Sequence, residues 1–219
     1  MDVAGSLAEI RERIRAAGGD PARVRIVAVT KTFGPDAVVG AVEAGLLDVG
    51  ENYVEEMEVT RAATPSPQRV RWHYLGALQT NKMARVLAVA DVVSSVSREK
   101  EIDRLIRLGA ALEVDVQVDF TGRPERGGAA PARVDALVAR IRDGGLRMRG
   151  LMTVASPEPE EARRTFGELS VLASRLGLSE LSMGMSEDLE WAVAAGSTEI
   201  RIGRALFGPR APRSGAALT

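Results

Sequence analysis

The spacing of apolar residues at the start of the chain predicts an amphipathic helix. Leu7, Ile10 and Ile14 recur at helical intervals. The run Ser6–Glu9 has the spacing of a capping box, which places the N-cap at Ser6. Gly18-Gly19 then ends the helical pattern, so we expect a single N-terminal helix within the first part of the chain.

Beyond this helix, short apolar strand patterns alternate with helical patterns until the chain nears its end. The predicted strands are Val24–Lys31, Leu47–Gly50, Arg71–Gly76, Val92–Val96, Leu112–Val118, Met148–Val154, Leu181–Met183 and Glu199–Ile202. The predicted helices include Asp36–Gly45, Asn81–Ala90, Arg98–Leu108, Pro131–Asp143, Glu158–Leu176 and Glu187–Ala195. This alternation predicts α/β architecture with a parallel sheet.

Eight strand–helix units that close on themselves form a (β/α)8 barrel of the TIM type, with the N-terminal helix as an extra element. A doubly wound open sheet is the alternative, because strands are easily miscounted from sequence. The pattern shows no linker or repeat, so we expect a single domain over residues 1–219. Within it, residues 1–19 hold the N-terminal helix and residues 209–219 form a loose tail.

The fifth strand is unusual because apolar and polar residues alternate along it. Valines and Leu112 occupy one set of positions, and Glu113, Asp115, Gln117 and Asp119 occupy the other. If the valines face the helices, the polar set points into the barrel, where buried charges need partners. Arg25 and Lys31 on the first strand, and Glu199 and Arg201 on the eighth, are the partners we expect. An edge strand with one solvated face is the alternative interpretation.

Lys31 stands at the carboxyl end of the first predicted strand, where active sites of α/β barrels lie. Nearby cations or partial burial would make its amine nucleophilic toward an aldehyde. A solvated lysine at a strand end is the simpler interpretation of its position alone. Because the eighth strand must pair with the first in a closed barrel, we expect Arg201 to lie beside Lys31.

The loops after the seventh and eighth strands have the composition of a phosphate site. They contain Ser182 and Ser186 around a central glycine, and Gly203 followed by Arg204. Phosphate groups in barrels commonly bind to backbone N–H groups of these two loops. Ordinary turn glycines and a serine N-cap are the alternative for each motif taken singly.

Further polar residues follow the second and third strands. Asn52, Tyr53 and His73 are the candidates for ligand recognition or for acid–base roles, and His73 alone is more often structural.

Composition excludes several classes of function. Hydrophobic residues make up 45% and charged residues 27% of the 219 residues, and the net charge is −1, so the charge pattern indicates neither nucleic-acid nor membrane binding. The chain has no cysteine and one histidine, which excludes disulfides, thiol nucleophiles and cysteine or histidine-rich metal sites. We expect no bound metal and a cytoplasmic protein.

Seven motifs, in order along nearly the whole chain, resemble the pyridoxal phosphate homeostasis protein family, which is related to the barrel domain of alanine racemase. The motifs are Ala28-Val29-Thr30-Lys31, Gly50-Glu51-Asn52-Tyr53-Val54, Trp72-His73-Tyr74-Leu75-Gly76, Leu78-Gln79-Thr80-Asn81-Lys82, Gly150-Leu151-Met152-Thr153, Leu181-Ser182-Met183-Gly184-Met185-Ser186 with Asp188-Leu189, and Gly196-Ser197-Thr198-Glu199-Ile200-Arg201-Ile202-Gly203.

The resemblance implies a fold type III barrel that binds pyridoxal 5′-phosphate (PLP), with Lys31 as the Schiff-base lysine and Arg201 facing the pyridine nitrogen. It implies phosphate contacts from Ser182 or Ser186, from Gly203 and from the residue that follows it. The sequence departs from the family where Asp119 replaces asparagine, Arg126 replaces lysine, Arg204 replaces threonine and Ala77 replaces histidine.

The same resemblance implies a PLP carrier that buffers the cofactor and delivers it to apo-enzymes. A weak amino-acid racemase that uses Tyr53 or His73 is the alternative, but its barrel would lack the second domain that supplies a tyrosine base in alanine racemase. A phosphosugar isomerase-like barrel without a Schiff base is a third class. We expect a monomer, because the racemase dimer contact involves that second domain.

Overall fold

The computed structural model describes residues 2–123 and 126–209, which form a barrel of eight parallel strands with helices around it. The strands are β1 (Arg25–Val29), β2 (Asp48–Glu51), β3 (Arg71–Tyr74), β4 (Val92–Val96), β5 (Glu113–Val118), β6 (Arg147–Thr153), β7 (Glu180–Ser182) and β8 (Glu199–Ile202). The helices are α1 (Val3–Ala16), α2 (Pro35–Glu43), α3 (Val54–Ala63), α4 (Met83–Val89), α5 (Glu99–Arg107), α6 (Val134–Asp143), α7 (Pro159–Arg175), α8 (Leu189–Ala194) and α9 (Arg204–Phe207).

The sheet closes because β8 pairs in parallel with β1, and each other strand pairs with its sequence neighbours. The predicted (β/α)8 barrel is therefore confirmed, and the open-sheet alternative is wrong. The predicted tail lies, apart from Pro209, outside the described residues.

The first helix begins earlier than predicted. Asp2 is its N-cap and its carboxylate accepts a hydrogen bond from the Gly5 N–H at 2.8 Å, so the predicted start at Ser6 is wrong. Val3 is buried on the same face as Leu7 and Ile10, which extends the apolar stripe by one turn. This face packs in one cluster with residues of α8, α9 and β8, so α1 covers the seam where the barrel closes.

The fifth strand has the orientation that its alternation predicts. Val114, Val116 and Val118 belong to the core between the sheet and the helices. Asp115 and Gln117 are buried on the opposite, inward face. The edge-strand alternative is therefore wrong.

A β-bulge on β6 supplies the main partner of these inward charges. Val114 is opposite Met148, but Asp115 is opposite Gly150, so Arg149 is an extra residue in the ladder. Its guanidinium reaches Asp115 Oδ1 at 2.8 Å from Nε, and Glu199 Oε1 at 3.0 Å from Nη2. All three side chains are at most 5% exposed, so the pair of buried carboxylates is neutralised mainly by a residue that we did not predict.

Further ion pairs fill the amino-terminal half of the barrel. Arg25 contacts Glu180 at 2.9 Å and Glu199 at 3.3 Å, and Arg71 pairs with Glu113. Although burial raises the pKa of Glu199, nearby His73 and Arg149 hold it below its ordinary value. The amino-terminal half of the barrel thus contains many charged side chains, and pairing offsets the cost of burying those that are not exposed.

Candidate functional site

The largest cavity that we describe, of about 690 Å³, opens at the carboxyl ends of the strands. A volume of this size suits a small organic ligand. The cavity combines polar and apolar side chains from at least six of the barrel strands and their loops. Its lining residues are Val29, Lys31, Asn52, Leu75, Gly76, Ala77, Gln117, Arg126, Gly127, Met152, Val154, Met185, Ser186, Glu187, Arg201, Gly203 and Arg204.

Lys31 and Arg201 both reach this cavity from the inner face of the barrel. Lys31 follows β1 in the same alternation as Val27 and Val29, whereas Ile26 and Ala28 pack outward against helices. In the strand register Arg201 is opposite Val27 and not opposite Lys31, so the two are not paired neighbours. They meet at the cavity because both occupy inward positions of adjacent strands.

Arg201 is held rigidly beneath the cavity. Its Nη1 donates to the Ser182 carbonyl oxygen at 2.7 Å and to Ser182 Oγ at 2.9 Å, and its Nη2 donates to the Thr153 carbonyl oxygen at 2.7 Å. Burial lowers the pKa of this guanidinium, and the carboxylates of Glu199 and Asp188 oppose that effect. Arginine stays protonated under such conditions, so the site contains a fixed cation.

The two predicted phosphate serines have different positions. Ser186 lines the cavity, and its Oγ accepts a hydrogen bond from the Ala205 N–H at 3.2 Å. Ser182 is buried against Arg201 and is not among the lining residues, so its hydroxyl positions the guanidinium. The loop between them is fixed by Asp188, which accepts from the Met185 N–H at 2.5 Å.

The loop after β8 brings a cation to the cavity rim. Gly203 and Arg204 both line the cavity, as predicted for phosphate contacts. The exposed guanidinium of Arg204 lies 3.2 Å from the carboxylate of Glu187, which also lines the cavity. An anion bound here would compete with Glu187 for Arg204.

Of the remaining candidates, only Asn52 lines the cavity. Tyr53 precedes α3 and its side chain is 44% exposed. His73 is fully buried inside the barrel, where Nε2 lies 2.8 Å from Asp48 Oδ1 at the start of β2. Neither Tyr53 nor His73 therefore lies on the wall of the cavity.

The four departures from the family pattern also have distinct surroundings. Arg126 and Ala77 line the cavity, and Arg126 Nη1 donates to the Ala155 carbonyl oxygen at 3.1 Å. Asp119 instead accepts from the backbone and hydroxyl of Thr121 at 2.8 and 2.7 Å, which closes a local turn. Arg204 lies at the rim already described.

A buried carboxyl group, one residue before Asn52 and outside the lumen of the barrel, was not among the predicted site residues. Glu51 ends β2 and is 1% exposed, and its Oε1 accepts from Thr30 Oγ1 at 2.6 Å. Burial raises the pKa of Glu51 from 4.5 to about 7, with a smaller upward effect from Glu56 and opposing effects from Thr30 and Lys31. The strand-end motif contained this residue, but its burial depends on α3, which was not among the predicted helices.

We expect this carboxyl group to make the protein less stable as the pH rises from 4.5 to about 7. In that window the unfolded chain releases the Glu51 proton while the folded chain retains it, because the folded pKa is raised. Glu51→Gln should remove up to about 3 kcal/mol of this pH dependence. Urea unfolding of both proteins at several pH values measures it, and parallel curves across the window would contradict the prediction.

At Gly76 the backbones of two cavity loops approach closely. We expect Gly76→Ala to lower the free energy of unfolding by about 1–3 kcal/mol. A Cβ at this position would lie 1.9 Å from the Asn52 carbonyl oxygen, so the backbone of one loop must move. Gly167→Ala is the matched control. No atom lies within 4 Å of a Cβ built there, and the position is inside α7, so alanine should stabilise by about 0.5–1 kcal/mol. Equal effects of the two substitutions in urea unfolding would contradict this account.

Two classes of site are absent from residues 2–123 and 126–209. No group of three or more histidine or acidic residues is arranged to hold a metal ion. Within the same ranges, no helix combines the length and apolar character needed to cross a membrane.

The family model for the alanine racemase N-terminal domain matches residues 6–211. A Pseudomonas aeruginosa protein named pyridoxal phosphate homeostasis protein is 40% identical over 218 residues, which cover 95% of this chain and 94% of that protein. A protein of the same name from Escherichia coli K12 is 34% identical over 227 residues, covering 95% and 97% of the two chains.

Solved structures agree with these similarities. PipY of Synechococcus elongatus without PLP has a TM-score of 0.85 and 31% identity, covering 94% of this chain and all 100% of PipY. The structure of PipY with PLP bound has a TM-score of 0.82 and 30% identity over the same shares. A lysine/ornithine decarboxylase from Vibrio vulnificus, at 14% identity and a TM-score of 0.71, shares the fold and has 63% of its length covered.

Proposed function

Because the chain belongs to the pyridoxal phosphate homeostasis protein family, within the alanine racemase N-terminal domain group, we propose that it binds PLP and takes part in PLP homeostasis. One observation carries the proposal for this molecule. Lys31, the fixed cation Arg201 and the rim of Ser186, Gly203 and Arg204 all line one cavity of about 690 Å³. The amine of Lys31 suits an aldehyde, the guanidinium of Arg201 suits a pyridine nitrogen, and the rim suits a phosphate.

Lys31 is the proposed point of attachment. PLP supplies an aldehyde that condenses with a lysine amine to a Schiff base with loss of water. Lys31, Lys82 and Lys100 are the lysines of the chain. Lys82 pairs with Glu55 at 2.9 Å and Lys100 is exposed, whereas Lys31 lines the cavity. Lys31 is thus the amine best placed for this reaction.

The other cavity residues would orient the cofactor. Arg201, already fixed by Ser182 and Thr153, would face the ring nitrogen and keep it unprotonated, because arginine does not give up its proton. Arg204 and Ser186 would hold the phosphate, with Glu187 displaced from its ion pair. Ser182 would contribute through Arg201.

We further propose a carrier and not a racemase. A racemase needs a second base opposite the lysine, and positioned bases contribute orders of magnitude to rate. Among the described residues no tyrosine or histidine lines the cavity. Transfer of PLP to apo-enzymes, a monomeric state and a cytoplasmic location complete the proposal, and size-exclusion chromatography with light scattering tests the monomer.

Borohydride reduction followed by peptide mass spectrometry tests the proposed site. Protein incubated with PLP should develop a visible absorption band, and reduction should fix one pyridoxyl group on the peptide that contains Lys31. Absence of the band would overturn PLP binding through a Schiff base. A stoichiometric adduct on Lys82 or Lys100 would overturn the assignment of the site.

Chiral amino-acid assays separate the carrier from the racemase. We expect no change in the enantiomer ratio when PLP-loaded protein is incubated with single L-amino acids. Turnover that Tyr53→Phe abolishes would overturn the carrier role.

A further inference from the structure

Two carboxylates outside the barrel lumen hold the two neighbours of Lys31. Thr30, which precedes the lysine, donates its hydroxyl to Glu51 Oε1 at 2.6 Å in a fully buried contact. Thr32, which follows the lysine, donates its backbone N–H to Glu56 Oε2 at 3.2 Å. The lysine backbone is therefore bound on both sides to the segment formed by the end of β2 and the start of α3.

The backbone next to Lys31 is strained. Thr32 has a φ of 70°, which lies in the left-handed region that a β-branched residue rarely adopts. Such a conformation persists only where the surrounding structure holds it, and it is concentrated at functional positions. Glu56 provides one such contact. The strained backbone at Thr32 therefore indicates that the position of the neighbouring Lys31 is held by these contacts.

Glu51 also acts on Lys31 through charge. It is 1% exposed, its Oε2 has no hydrogen-bond partner among the described residues, and it lines a cavity of about 400 Å³ between β1, β2 and α3. The charges that act on it are those of Lys31, which follows β1, and of Glu56 from α3, and Glu55 from α3 lines the same cavity. Lys31 favours the ionised form of Glu51, so an ionised Glu51 must equally favour a protonated nitrogen on Lys31.

We propose that Glu51 is a positioning residue for Lys31, which fixes the strand end through Thr30 and, in its ionised form, stabilises the protonated form of the lysine nitrogen. Glu56 fixes the other side of the lysine through Thr32. This inference rests on the proposed PLP binding at Lys31. Glu51, a residue on the outer face of the barrel, would thus influence the protonation of the Lys31 nitrogen on the inner face.

The pH titration of the Schiff-base absorption band tests the proposal. Glu51→Gln keeps an oxygen for Thr30 but removes the negative charge, so the pH midpoint of the band should fall by about half a unit to one unit. Glu55→Gln is the matched control, because it makes the same charge change in the same cavity but its carboxylate pairs with Lys82 and Arg85. Its midpoint should stay at the wild-type value.

An unchanged or raised midpoint in folded Glu51→Gln, or an equal shift in both variants, would overturn the proposal. Thr30→Val is a second variant that keeps the charged residue and removes only the hydroxyl. The loss of this hydrogen bond favours neutral Glu51. The pH midpoint of the band in Thr30→Val should therefore also fall, by a smaller amount than in Glu51→Gln. If wild-type protein shows no band, the proposed PLP binding through a Schiff base is wrong. That result differs from a wild-type band with an unchanged midpoint in Glu51→Gln, which contradicts only the role of Glu51.

Discussion

Replacing Arg149 by methionine is expected to lower the free energy of unfolding by about 3–5 kcal/mol, which is the cost of breaking a buried ion pair from one side. Asp115 and Glu199 are each 1% exposed, and both lose their contacts to this guanidinium. Arg25 remains near Glu199 at 3.3 Å, but no other described arginine or lysine is within ion-pair distance of Asp115. Methionine keeps much of the volume of the arginine side chain. The loss of free energy of unfolding therefore measures the missing charge and not a cavity.

Urea unfolding with circular dichroism measures this effect. Arg175→Met is the control, since Arg175 and Asp135 make a two-bonded ion pair in which both side chains are about half exposed. Exposed pairs contribute at most about 1 kcal/mol, so this variant should remain close to wild type. A loss below about 1 kcal/mol for Arg149→Met would contradict the structural role assigned to the bulge.

Replacing Lys31 by alanine is expected to abolish the visible band and the borohydride adduct completely. The remaining lysines lie away from the cavity lining, so none replaces the lost amine. The phosphate rim is unchanged, and residual non-covalent binding should be at least about tenfold weaker, which corresponds to a loss of about 1.4 kcal/mol.

Equilibrium dialysis with PLP and mass spectrometry after reduction measure both effects. Lys100→Ala is the control, because it removes an exposed amine on α5 and should leave the band and the affinity unchanged. A Lys31→Ala protein that still carries a reducible adduct would show that another residue holds the cofactor.

The fold was largely predictable because short strand patterns alternate with helical patterns along most of the chain. The limits of β4 and β8 agree with the prediction to the residue, and the alternation of β5 correctly predicted a polar inner face. The partner of that face was not predictable. Arg149 points inward because of a bulge, and a bulge changes the two-residue periodicity on which orientation from sequence depends.

The candidate site was predictable to the extent that it follows from strand ends. Lys31, Asn52, Ser186, Arg201, Gly203 and Arg204 all line the cavity. Ser182 was not separable from Ser186 by sequence, because the difference depends on which serine hydroxyl meets Arg201. Glu51 was missed for a related reason: its burial arises from packing against a helix whose pattern, with buried Val54, Met57 and Thr60, is too sparse to predict.

The ion pairs in the amino-terminal half of the barrel also have a consequence for folding during synthesis. Arg149 on β6 and Arg25 on β1 both contact Glu199 of β8, which follows the other seven barrel strands in the chain. Until β8 pairs with β1, Arg149 therefore lacks one of its two carboxylate partners, and Arg25 lacks its contact to Glu199. Partly made chains should therefore gain little from early barrel formation, and closure of the ring should coincide with the main gain in stability.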